Sequence, residues 1–193
     1  MQTRTAARIG AGCGIVWPLA LSLGRDGAFA VALAGLVLFV PFLAYVCTLL
    51  RRVEGDERWL TQTAFGAGLL GITLKIASGV PEIAYRGLPS HSQAHKALEG
   101  LANGATIASL YPLAVFTGIV AVQALRTRFL PRWLGVLTGL TAISLAVNGS
   151  FIHAASVPAL LLFVAWSFAM GAVLFLRQTS RGRVAGAAPA VAG

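Results

Sequence analysis

Acidic side chains are scarce: six Asp and Glu stand against fifteen Lys and Arg in 193 residues, and charged residues together make up only 11% of the chain. A water-soluble globule of this length needs far more charge on its surface, so an ordinary soluble domain is excluded. Two cysteines cannot supply a disulfide scaffold. Long polar stretches are also missing, which excludes a disordered chain. There is no Walker loop, dinucleotide fingerprint, paired cysteine motif or hydrolase elbow where such a motif would have to sit, so no cofactor is expected and no catalytic residue is assigned. What fills the chain instead is apolar: 57% hydrophobic residues, 22 glycines and a mean hydropathy of +0.79. With glycine counted, about two-thirds of the residues are apolar, against about 45 to 50% in a soluble domain. This composition points to the bilayer.

A helix needs about 20 apolar residues to cross roughly 30 Å of hydrocarbon. Residues 27–50, 59–80, 101–125, 133–152 and 154–176 meet that requirement, the second with one lysine inside it. Residues 9–24 form a marginal sixth span that carries Trp17-Pro18. Its competitor is a secretory signal: Arg4 and Arg8, an apolar stretch, and Ala28-Phe29-Ala30 as a cleavage site, which would leave five spans. A retained span is preferred because that cleavage site would fall within the next apolar run. The expected fold is therefore all-α, a polytopic transmembrane helix bundle of six spans, forming a single domain over 1–176. Residues 177–193, basic and then rich in Ala, Gly and Pro, read as a disordered cytoplasmic tail.

The formal charge of +9 raises the question of nucleic acid, and the distribution of the charges answers against it. Arg4 and Arg8; Arg51, Arg52 and Arg58; Arg126, Arg128 and Arg132; and Arg177, Arg181 and Arg183 each stand at an end of an apolar run. That is the positive-inside pattern of a multi-pass protein of the plasma membrane, with both termini in the cytoplasm. The partners it implies are the lipid bilayer, with anionic inner-leaflet lipid near the arginine groups, and no nucleic acid. A homo-oligomer or a membrane partner protein is compatible with it. The outer connections are then residues 25 and 26, the segment 81–100, and a tight turn from Asn148 to Ser156. The inner connection from Arg51 to Arg58, with Glu54, Asp56 and Glu57, reads as a solvated turn with local ion pairs.

Arg58-Trp59-Leu60 and Arg132-Trp133-Leu134 echo one another, each opening an outward-running span. Arginine and tryptophan both favour the membrane interface, which explains the recurrence without a duplication. At Leu130-Pro131-Arg132-Trp133-Leu134-Gly135 the sequence resembles a large set of uncharacterised polytopic membrane proteins of high-GC actinobacteria, in which a similar Pro-Arg-Trp-Leu-Gly turn opens a late span. The likeness covers residues 74 to 140 at best, including Leu74-Lys75 to Pro81-Glu82. The resemblance implies a helical membrane fold and brings no activity.

Lys75 is the most informative residue. Sixteen residues past Trp59, at 1.5 Å each, it lies about 24 Å into the hydrocarbon, where an ammonium costs a few kcal/mol unless it reaches water or a partner. Snorkelling to the outer surface is one outcome. The other is a partner inside, either Glu82, seven residues on, or Asn148, which falls at a similar depth. In the outer segment, Ser90 followed by Gln93 has capping-box spacing. If helical, His91, His95 and Glu99 share a face that Asn103 extends. His91 and His95 are the candidate metal ligands, with Glu99 or His153 to complete the set, although a solvated face explains the same spacing. Cys13 and Cys47 fall at similar depth near the inner leaflet and read as small packing residues rather than a disulfide.

Three functions fit. The polar cluster of Lys75, Glu82, Asn148, His91, His95, Glu99 and His153 suits translocation or sensing of a proton, ion or small solute. Alternatively, a membrane-embedded enzyme uses an acid among them on a lipid or isoprenoid, or the chain is a structural or assembly subunit of a membrane complex. Nothing in the pattern marks an enzyme.

Overall fold

Hydrocarbon offers the backbone no hydrogen bonds, so each amide must be satisfied within its own segment, and the chain answers with helices throughout. A computed structural model describes residues 2–23, 29–55, 58–150 and 157–186. Six helices account for nearly all of them: α1 (Gln2–Leu23), α2 (Phe29–Glu54), α3 (Trp59–Arg86), α4 (Gln93–Thr127), α5 (Arg132–Ser150) and α6 (Val157–Gly186). No strand occurs among the described residues. Five helices, α2 to α6, are long and apolar enough to cross a membrane, and α1 is the shorter sixth, apolar over Thr5–Leu21. This is the all-α, multi-pass character expected from hydropathy.

The boundaries differ from expectation in three places. Helix α3 does not stop before Pro81 but runs through it to Arg86, with the proline ring buried. Prolines are tolerated within membrane helices because neighbouring helices and hydroxyl side chains take up the freed backbone groups. The polar segment 93–100 is not a separate outer piece but the first turns of α4. That helix has 35 residues and so measures about 52 Å against about 30 Å of hydrocarbon. Helix α6 continues past Leu176 to Gly186, into the stretch expected to be a disordered tail. Residues 24–28, with Ala28 of the signal-cleavage candidate, residues 151–156 with His153, and residues 187–193 lie outside the described residues.

The chain divides into two compact units, a division that the hydropathy pattern does not mark. The first comprises Met1–Tyr45 and Ser167–Gly193. In it Trp17 meets the edge of Phe39 at 5.3 Å, and Phe39 meets Phe42 at 5.7 Å. Gln178 Nε2 donates to the Tyr45 hydroxyl at 2.7 Å. Helices α1 and α6 touch through their backbones: a Cβ built on Gly171 would lie 2.8 Å from the carbonyl carbon of Gly14. Such close approach is what membrane helices use in place of a hydrophobic driving force, which lipid tails cannot supply.

The second unit, Val46–Trp166, holds α3, α4 and α5. Helix α4 packs against both α3 and α5, burying Leu110, Leu113, Phe116 and Val120. Trp166 is fully buried; its Nε1 donates to Thr138 Oγ1 at 2.8 Å and its ring lies 6.0 Å from that of Phe116. Trp59 and Trp133 behave oppositely: at the starts of α3 and α5 they are 56% and 55% exposed, as interface anchors should be. Pro131 stands just before α5, its carbonyl accepting from the amides of Leu134 and Gly135. The segment leading into α3 holds a surprise. Glu54 is not engaged in an ion pair among the described residues; its carboxylate accepts from the amides of Leu60 (2.6 Å) and Thr61 (2.9 Å) and from the Thr61 hydroxyl. It thereby caps α3, a favourable place for an anion, since those amides have no helical acceptor. Asp56 and Glu57 lie outside the described residues.

Candidate functional site

Helices α3 and α4 form an antiparallel hairpin whose turn is tightly bonded. Ser92 caps α4 by accepting from the His95 amide at 3.1 Å, so the cap is Ser92 and not Ser90. The carbonyl of Tyr85, near the end of α3, accepts from the Leu88 amide at 3.0 Å and lies 3.0 Å from His95 Nδ1. A carbonyl can only accept, so His95 carries its proton on Nδ1, and in the neutral ring Nε2 presents the lone pair. The two rings of Tyr85 and His95 meet edge to face at 4.9 Å.

This geometry separates the histidines. His91 precedes the helix and is exposed, while His95 and Glu99 share a face one turn apart on α4. Among the described residues no three His, Cys, Asp or Glu side chains are grouped as a metal site would require. Glu82 is engaged by Arg86, whose Nη2 donates to Oε1 at 2.7 Å on an exposed turn of α3. Asn148 donates to the Ser144 carbonyl of its own helix at 3.4 Å. Neither expected partner bonds Lys75. Its Nζ donates instead to Thr106 Oγ1 on α4, at 3.0 Å.

The hairpin explains this choice. With the turn centred between Ser90 and His91, antiparallel packing sets Lys75 opposite Thr106, and Tyr85 opposite His95. Helical spacing puts His95, Glu99, Asn103 and Thr106 along one stripe of α4; His95 bonds the Tyr85 carbonyl and Thr106 bonds Lys75, while Glu99 and Asn103 are exposed. The hydroxyls of Ser78 and Ser109 are turned onto their own helices, donating to the carbonyls of Lys75 (2.7 Å) and Thr106 (2.6 Å). Beyond Lys75 the seam becomes apolar and tight. A Cβ on Gly71 would lie 2.7 Å from Leu113 Cγ and 3.2 Å from the Ser109 carbonyl oxygen. The polar row thus ends at this contact.

No family model, curated protein or solved structure matches the chain. The function must be read from the seam itself.

Thr106 stands apart from the buried threonines of the second unit. Thr117, Thr138 and Thr141 donate back to Leu113, Leu134 and Leu137 of their own helices, and Thr61 donates to Glu54. Thr106 accepts from Lys75, and its own proton reaches no acceptor among the described residues. Sequence reasoning missed Thr106 because a threonine in an apolar run carries no signal of its own; reflecting Lys75 through the centre of the turn would have found it.

Proposed function

We propose that this chain is a multi-pass protein of the plasma membrane that binds and senses an ion or small solute in the α3–α4 seam, entering from the outer face. The reading rests on one observation: a lysine within an apolar helix, whose Nζ is bonded only to Thr106 Oγ1 among the described residues. A charge kept at that depth against a cost of a few kcal/mol marks a working site. Sensing is favoured over translocation by the blind inner end at Gly71 and Leu113 and by the threonine hydroxyls turned onto their own helices. The enzyme reading is weakened because Glu82 is tied to Arg86 and Glu99 is exposed.

Accessibility tests this directly. In a full-length chain with Cys13→Ala and Cys47→Ala, a membrane-impermeant hydrophilic maleimide should modify Lys75→Cys and Thr106→Cys from the outer side and leave Leu113→Cys untouched. Equal resistance at all three positions rejects the seam as a binding site. Proton flux into proteoliposomes that falls on Lys75→Ala would restore translocation.

A further inference from the structure

We infer that the inner end of the seam is an anion site, and that the ligand presents carboxylate or phosphate oxygens to Lys75 and Thr106. This deepens the reading just given and rests on it. The inference follows from what the two side chains have left to offer. An ammonium has three donors and no acceptor, and one of the three is spent on Thr106. The threonine oxygen accepts that bond, so its own O–H is left as a donor with no acceptor among the described residues. The pair therefore presents two N–H groups, one O–H and a positive charge.

The backbone carbonyls of both residues are already engaged by side chains. The carbonyl of Lys75 takes the Ser78 hydroxyl, and that of Thr106 takes the Ser109 hydroxyl. Glu82, the carboxylate one would expect to neutralise the lysine, is held by Arg86 at 2.7 Å, two turns nearer the mouth. A metal cation or a cationic amine would be repelled by the Lys75 ammonium. An oxyanion would supply acceptors for these donors and a countercharge in direct contact with them, whereas Glu82 acts on Lys75 only across space, and charge-assisted bonds of this kind are the strong ones. The same chemistry is carried by a free phosphate or carboxylate and by the phosphate of an anionic lipid headgroup.

The chain contains only two lysines, Lys75 and Lys96, which makes the test direct. Full-length protein with isotopically labelled lysine side chains, in phosphatidylcholine nanodiscs, should give two Nζ signals, assigned by Lys96→Arg. Inorganic phosphate or acetate should shift the Lys75 signal saturably and leave that of exposed Lys96 unmoved. Thr106→Val should weaken the response about tenfold, and Thr106→Ser should retain it. If nanodiscs containing phosphatidylglycerol shift the Lys75 signal before any anion is added and block further change, the oxyanion is the lipid's. A Lys75 signal indifferent to phosphate, acetate and phosphatidylglycerol overturns the anion assignment. If Lys75→Cys and Thr106→Cys are labelled at the same time, the seam survives as a site for another ligand; if they resist labelling, both readings fall.

Discussion

At the scale of single residues, the hairpin depends on a few polar atoms placed at helix ends. Ser92 satisfies one of the amides that the first turn of α4 leaves without an acceptor, and it holds the backbone from which His95 reaches the Tyr85 carbonyl. Ser92→Ala should cost about 1 kcal/mol and fray the first turn of α4. Hydrogen exchange at the His95 amide would register this as faster exchange, with protection in the middle of α4 unchanged. Little of this level is readable in sequence. Capping-box spacing draws the eye to Ser90 and Gln93, yet the helix begins at Gln93 itself, and Ser92 is the residue directly before it. Glu54 was no easier: a carboxylate among Arg51, Arg52 and Arg58 suggests ion pairs, and only the path of the chain reveals that it reaches the amides of Leu60 and Thr61.

At the scale of elements, α3 and α4 are held at their distance by the absence of a side chain. Gly71 lets Leu113 lie against the α3 backbone, and this contact both sets the register of Lys75 with Thr106 and shuts the seam. Gly71→Leu must push the helices apart there. The expected cost is about 1 to 3 kcal/mol, as for other overpacked sites, read as a lower melting temperature in detergent. The same variant should let the hydrophilic maleimide reach Leu113→Cys, which is closed to it in the parent. Hydropathy made the helices themselves legible, because the length of an apolar run is fixed by the bilayer. It mistook their ends for the edges of the apolar runs, since Ser92, Pro81 and the polar turns 93–100 obey helix chemistry and not hydropathy.

At the scale of the whole molecule, the arginine groups organise the expectation of topology. A reporter that is active only outside the cytoplasm should give signal when fused after Leu88 and none when fused after Arg128. The reverse result would turn the seam toward the cytoplasm and reject sensing from outside. That α2 to α6 would be helices long and apolar enough to span a membrane was legible, since so few charged residues interrupt the apolar runs. At the seam, Lys75 announces itself in the sequence, whereas its bonded partner Thr106 emerges only when the hairpin is folded. His91, His95 and Glu99 looked like one ligand row because helical periodicity was extended past the point where the helix starts.

In the proposed site, the close contact of Gly71 with Leu113 shuts the far end of the seam. A ligand that enters the proposed site beside Arg86 and His95 leaves the same way, so arrival and departure cross one common barrier. Side chains at that threshold can therefore speed or slow both journeys by equal factors while the fraction of occupied molecules at rest stays where Lys75 and Thr106 put it.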